Sequence, residues 1–348
     1  MTPEFPLTYQ RIEHHDGIAI HTTVPLPPPT GDAPVVRLAP EIAGVCRSDL
    51  REITGNRYAR RDFGHEIVAT VVHAPPGLAE LHQRVLLDPH PVLTRGSGFA
   101  EYVDLRGTPA HLQAALVPIP HALPADVAVF GEPLACAVHC TTRLHEVSAA
   151  LRFDRQEPIG VYGAGMAGTL ITAALTAEGH RCVLLNPRPH RIEFLRRSGA
   201  LPPAIPSHDT GQRFTRIVLV TATATPALLT ECTGMLSDGG LLLVFAGTSP
   251  GLRYHGLDID RVRREQLTAT TAGRTLTVAG TYGARREDFT TALALLHREP
   301  DTHGWSPADC VRRVTTGVLE LRTAAAFLTT AAAHGAVGKT LIRIREAS

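Results

Sequence analysis

The sequence has almost no excess charge of either sign. Lysine and arginine together number 34 and aspartate and glutamate 33 in 348 residues, a formal net charge of +1. That removes the electrostatic case for nucleic acid or an anionic membrane as partner. There is no CxxC pair. The six cysteines (46, 136, 140, 182, 232 and 310) are scattered, which excludes a dense disulfide framework. Such usage fits a reducing compartment, where an important cysteine is a metal ligand or a core filler. Met1–Gln10 lacks a basic stretch followed by an apolar one, so no secretory signal is read and a cytoplasmic location is expected. No internal repeat is found, and the 18 histidines form no tract. The uncharged run Pro158–Ala177 approaches the length of a bilayer span, but its glycines, interior threonines and strand-like start argue against insertion.

What is present is a globular composition, 44% hydrophobic and 19% charged, with 27 prolines and 30 glycines to make turns. The length suits two domains, or one interrupted by another.

The most informative stretch is Val161-Tyr-Gly163-Ala-Gly165-Met166-Ala167-Gly168. Gln156–Tyr162 reads as a buried strand, Met166–Glu178 as a helix closed by Gly179, and Arg181–Asn186 as a second strand. Strand, GxGxxG, helix and strand in that order form a dinucleotide-binding context. Gly163 permits the tight turn, Gly165 lets a pyrophosphate approach the backbone, and Gly168 lets helix and strand pack closely. The helix start, with Met166 and Ala167, offers free N–H groups and a partial positive charge.

Before this stretch, residues 1–150 read as a β-rich unit. Its strands fall at Ile18–Val24, Val35–Ile42, Ile67–Val72, Arg84–Asp88, Phe99–Val103 and Ala115–Pro120, followed by helical Pro124–His145. From Gly160 to Tyr282 strands and helices alternate. Ile217–Thr221, Gly240–Phe245 and Thr275–Gly280 read as strands and Thr225–Leu236 as a helix, the pattern of a parallel sheet covered on both faces. Arg285–Arg298 and Gly317–His334 read as helices, the latter capped by Gly335, and Lys339–Ile344 as a last strand.

Cys46, in Gly44-Val-Cys46-Arg47-Ser48-Asp49, and His65-Glu66, after Gly64, place a thiol, an imidazole and carboxylates in one small β-rich unit. Glu132 adds a carboxylate at a helix start. Such a mixed set suits zinc, and three protein ligands with one vacancy is the catalytic arrangement. Read singly, Cys46 is also a plausible core residue, and His65, Glu66 and Glu132 plausible surface groups.

These segments resemble the zinc-dependent medium-chain dehydrogenase/reductase superfamily, in particular its polyol (sorbitol) and threonine dehydrogenase branch. The matching pieces are Gly44–Asp49, Gly64–Glu66, Gly98-Phe-Ala-Glu-Tyr102, Glu132–His139, the three glycines at 163, 165 and 168, Gly280–Gly283 and Gly338-Lys339. They occur in family order over nearly the whole chain. The resemblance implies an α/β fold, with a GroES-like catalytic domain built from both chain ends around an inserted Rossmann domain. The expected bounds are 1–150, 151–285 and 286–348. It implies one catalytic zinc held by Cys46, His65 and Glu66, with Glu132 on or just behind the metal. Ser48 would relay the substrate proton and Asp49 would orient the groups around the zinc. Arg47 and Lys339 would neutralise the cofactor pyrophosphate, and Tyr282 would lie toward substrate. Asp88–Gly98 carries none of the four cysteines that hold a structural zinc in most zinc members, so that second ion is expected to be absent. Family habit implies a homodimer or homotetramer.

Where NAD enzymes place an acidic residue on the ribose, this sequence has Asn186, with Arg188 and Arg191 close behind. Arginine suits a 2′-phosphate, so NADP is favoured over NAD. The expected activity is hydride transfer between NAD(P) and a secondary alcohol or its ketone, the alcohol being a polyol, a cyclitol or sugar-derived. Two alternatives stand beside it: a zinc-free NADPH-dependent quinone or enone reductase, and a non-catalytic binding protein that retains the fold.

Overall fold

The computed structural model describes residues 5–29, 34–56, 63–203, 205–207, 211–271 and 276–345. The chain divides into two compact units, Met1–Glu132 with Thr315–Ser348, and Pro133–Val314.

The first unit is built on the long strand Val35–Gly44, whose residues are nearly all buried. It pairs antiparallel with Glu66–His73, Val103–Arg106 and Lys339–Arg343. Lys339–Arg343 pairs parallel with Thr315–Glu320, so both chain ends close one sheet. Val36, Leu38, Ile67, Val71 and Leu105 pack together against it, and a second cluster gathers Ile12, Leu50, Ile53, Phe99 and Leu328. The hairpin Thr8–His15/Ile18–Pro25 turns at Asp16 and Gly17, at φ 46° and 84°. An Asp-Gly pair with both residues left-handed is the tight turn that matches strand twist.

The second unit carries a seven-stranded sheet. Pro206–Ser207, Cys182–Leu185, Ile159–Tyr162, Phe214–Leu219, Leu236–Val244 and Thr277–Gly280 run parallel in that spatial order, and Thr268–Thr270 adds an antiparallel edge. From Ile159–Tyr162 the chain steps one way across the sheet, and from Phe214–Leu219 it steps the other. Right-handed crossovers then put the two sets of helices on opposite faces. Local chemistry sets the helix ends. Thr225 caps Pro226–Gly234, accepting from Leu228 N at 3.3 Å. Gly179 and Gly199 turn left-handed after Met166–Ala177 and Pro189–Ser198. The fold is thus α/β, a GroES-like β-rich unit made from both chain ends with a Rossmann-type unit inserted.

Several elements differ from the sequence reading. Gly317–His334 is not one helix. Thr315–Glu320 is a strand of alternating exposure, and the helix is Leu321–His334. β-Branched Thr315, Thr316 and Val318 suit the strand, and its partner Lys339–Arg343 lies on the far side of the helix in sequence. The expected helix Pro124–His145 is two helices, Ala125–Ala128 and Gly131–Ala150. Phe99–Val103 is mostly a connection, with its strand beginning at Val103. Alternation also fails after Pro206–Ser207: only positions 208–213 separate that strand from Phe214–Leu219, and none of the described ones is helical. Thr275 lies outside the described residues.

The unit bounds depart from 150/151 and 285/286. Helix Gly131–Ala150 is tied to the inserted unit by His139 and Arg143, and helix Pro307–Val314 packs on Met166–Ala177. Among the described residues no helix is long and apolar enough to cross a membrane. The run Pro158–Ala177 is instead a strand, a glycine turn and a helix.

Candidate active site

Cys46 sits at the N-cap of the short helix Arg47–Ile53. One carboxylate joins it to the segment that carries His65 and Glu66. Asp49 Oδ2 accepts from Cys46 N at 2.9 Å, while Oδ1 accepts from Gly64 N at 2.9 Å and faces His65 Nδ1 at 3.2 Å. Asp49 is fully buried. Burial works against its charge, but His65 and the two backbone donors outweigh it and hold the carboxyl below the usual range. With Nδ1 engaged by Asp49, His65 keeps Nε2 for a ligand, the orientation a carboxylate imposes on metal-binding imidazoles. Burial also works against the His65 imidazolium, yet Asp49 and then Cys46 raise its pKa well above the ordinary value.

Glu66 is delivered by sheet register. It opens its strand opposite Gly44, and Leu341 of the C-terminal strand pairs with that same glycine. A Cβ at Gly44 would overlap the Glu66 carboxylate and touch Lys339 Cε at 3.0 Å, so the position must be bare. Cys46, His65 and Glu66 offer ligand atoms all within 4.8 Å of one another. The Cys/His/Glu donor set fits zinc.

Lys339 is not exposed as its expected pyrophosphate role would require. Its ammonium pairs with Glu66 Oε2, and the two side chains are only 3% and 1% exposed. Burial opposes its charge, but Glu66 and Cys46 outweigh that and raise its pKa. Sequence reasoning missed this pair because nothing local to Lys339 announces it.

Glu132 stands in the first turn of Gly131–Ala150, 5% exposed. Burial and the nearby Glu66 raise its pKa, against His65, His90 and Lys339. His90 is a further residue the sequence reading did not single out. Its Nδ1 lies 2.7 Å from Asp88 Oδ1, which also accepts from His90 N at 2.9 Å, and its ring falls within 4.8 Å of the Glu132 carboxylate. The Asp-Pro-His spacing was the available signal, since an aspartate bonding its own backbone two residues on is a common turn. Ser48 Oγ is buried and makes no hydrogen bond. Arg47 is exposed on the same helix.

The inserted unit carries the dinucleotide features. Gly163 has φ 129°, and a Cβ there would lie 2.8 Å from the Val220 backbone. Around Gly165 nothing would meet a Cβ within 4 Å, and at Gly168 one would overlap the Gly163 carbonyl. Turn, open approach and close packing thus fall on the three glycines in the expected order. Met166 and Ala167 open the helix, half-buried. Asn186 is anchored at both ends of its amide, accepting from Ala164 N at 3.0 Å and donating to Arg188 O at 3.0 Å. Arg188 is exposed at the next helix start and Arg191 is half-buried in its first turn. A cavity of about 470 Å³ borders Asn186, lined in part by Tyr162, Arg213, Glu231 and Met235. Tyr282 is 36% exposed, with the Arg263 guanidinium 4.9 Å above its ring.

No protein-family profile and no curated protein matches the chain. Solved structures do. The chain is similar to (2R,3R)-butanediol dehydrogenase from Bacillus subtilis, with TM-score 0.69 and 20% identity over 97% of this chain and 100% of that one. This chain shares the fold of that dehydrogenase. A zinc-binding dehydrogenase from Sinorhizobium meliloti, described as putative and bound to NADP, gives 0.69 at 16% identity over 98% and 100%. L-idonate 5-dehydrogenase from Escherichia coli gives 0.66 at 16% identity over 97% and 98%.

Proposed function

We propose that the chain is a zinc-dependent oxidoreductase that transfers hydride between a secondary alcohol and NAD(P). The observation that carries this is the convergence of Cys46, His65 and Glu66 with Asp49 bonded to both ligand segments. Zinc held by these residues would act as a Lewis acid that lowers the pKa of an alcohol. The nicotinamide would supply the hydride acceptor. The protein's own part is to position and to move a proton. Asp49 fixes the His65 ring, and Gly44 leaves room for the Glu66 carboxylate beside Lys339. Ser48 Oγ makes no hydrogen bond of its own, which leaves it able to accept one from the substrate hydroxyl and, with solvent water as the final acceptor, to relay that proton.

A polyol, cyclitol or sugar-derived alcohol is the substrate class we favour. Two of the similar structures are named for a vicinal diol and a sugar acid, and Glu132 with His90 adds polar groups beside the ligand set. NADP is favoured over NAD because Asn186 presents an amide, not a carboxylate, with Arg188 and Arg191 following it. We also take the structural zinc to be absent, as Asp88–Gly98 contains no cysteine.

A zinc-free NADPH-dependent enone or quinone reductase is the second reading. The buried Lys339–Glu66 pair favours it, since that pair neutralises one donor without any metal. Zinc content of chelator-free protein decides between them. Bound zinc that falls by one ion per chain in Cys46→Ala supports the first reading. Metal content unchanged in that variant, with enone reduction intact, supports the second.

A further inference from the structure

Three polar side chains of the inserted unit meet where helix Met166–Ala177 ends. Glu178 is its C-cap. Gly179 then turns left-handed, with φ 84°, and returns the chain so that His180 N donates to Leu175 O at 2.9 Å. This capping turn brings the side chains of 178 and 180 together, and His145 reaches them from the last turns of Gly131–Ala150. His145 Nε2 lies 3.3 Å and His180 Nε2 3.9 Å from the same oxygen, Glu178 Oε2. The imidazole centroids are 4.8 Å apart, and one ligand atom from each residue falls within 4.8 Å of the other two.

These contacts are not a satisfied ion-pair cluster. His145 Nε2 and Glu178 Oε2 are buried atoms that make no hydrogen bond. Burial, with His180, Arg155 and Arg216 adding to it, lowers the His145 pKa to about 4. Burial and then Arg155 lower that of His180 as well. Two ring nitrogens thus converge on one carboxylate oxygen without a hydrogen bond formed between them. Leaving such groups unpaired is costly. A divalent cation would satisfy all three groups at once, because imidazole nitrogen and carboxylate oxygen are donors zinc takes. With bonds of about 2.0–2.2 Å, tetrahedral donors sit about 3.4 Å apart, near the 3.3 and 3.9 Å at which the two imidazoles already face Glu178 Oε2. The His145 side chain as a whole is 37% exposed, although its Nε2 is buried.

We propose that His145, Glu178 and His180 form a second divalent-metal site for zinc or a metal of the same borderline class. It contains no thiolate. Its role is structural: it ties the end of helix Gly131–Ala150 to the turn that leads into Cys182–Leu185, the strand that presents Asn186. Arg155 and Arg216 carry positive charge nearby, although both are engaged by backbone carbonyls. Their charge makes this site the weaker of the two.

Cobalt(II) titration of the metal-free full chain tests this with a readout that separates the sites. Cobalt on Cys46 gives a thiolate charge-transfer band in the near ultraviolet, whereas cobalt on two imidazoles and a carboxylate gives visible bands alone. The expected result is two ions per chain in the wild type. Cys46→Ala should retain one ion, without the thiolate band, and zinc should raise its Tm by binding only the folded state. Adding His180→Ala or the conservative His145→Gln to that variant should abolish both the ion and the Tm increment. Two results overturn the proposal: Cys46→Ala binding no cobalt, or its ion persisting unchanged through both histidine substitutions. Loss of the thiolate band in the wild type would instead count against the proposed catalytic site alone.

Discussion

Asp49 shows how much one buried carboxylate can organise. It accepts from the Cys46 and Gly64 backbones and holds the His65 ring, so the segments that carry Cys46 and His65 both depend on it. Asp49→Asn keeps the size but puts an amide donor against groups that need an acceptor. Zinc affinity, read by chelator competition, is expected to fall by about 10–100-fold, and unchanged affinity would refute the role. At the other unit, Arg188→Ala/Arg191→Ala should raise KM for NADP about tenfold, equivalent to about 1.4 kcal/mol, with little change for NAD. Equal changes for both cofactors would remove the argument from Asn186. At this scale the sequence was legible where chemistry sits in a local motif. Cys46, His65 and Glu66 converge, and the three glycines fall on one strand–helix turn. Lys339 was not legible in this way. Its partner Glu66 is brought to it only by sheet register around Gly44, and no local pattern encodes that.

Among the elements, His139 connects three parts of the inserted unit. Its Nδ1 lies 2.9 Å from Asp288 Oδ2 and its Nε2 2.7 Å from Gln266 Oε1, linking helix Gly131–Ala150 to helix Arg286–Leu296 and to the turn before Thr268–Thr270. Asp288 raises the His139 pKa above 6.5, burial opposes it, and Gln266 adds to the rise. A histidine with a raised folded pKa stabilises fully below its unfolded value and loses that contribution as pH rises through the folded one. The urea midpoint is therefore expected to fall from about pH 6.5 upward, and His139→Gln should flatten that slope. A wild-type midpoint that stays level across this range would contradict the assignment. Helices with clear caps, such as Met166–Ala177 and Pro226–Gly234, were readable nearly to the residue. Thr315–Glu320 was not, because its strand character depends on a partner beyond the following helix.

For the molecule as a whole, the two-unit plan follows from the return of the C-terminal segment to the first sheet. Lys339–Arg343 and Glu66–His73 both lie beside Val35–Gly44, so Glu66 and Lys339 share one sheet while the glycine turn belongs to the insertion. The motifs announced that plan, but the boundaries at Glu132 and Val314 depend on which unit a helix packs against, and sequence pattern does not say. The account's central claim is that the Cys46, His65 and Glu66 set, loaded with zinc, is required for alcohol oxidation. The direct measurement is the rate of NADP reduction with butane-2,3-diol and other vicinal diols, before chelation, after it, and after zinc is restored. Turnover should be lost with the metal and regained with it. Turnover that survives complete removal of zinc would contradict it.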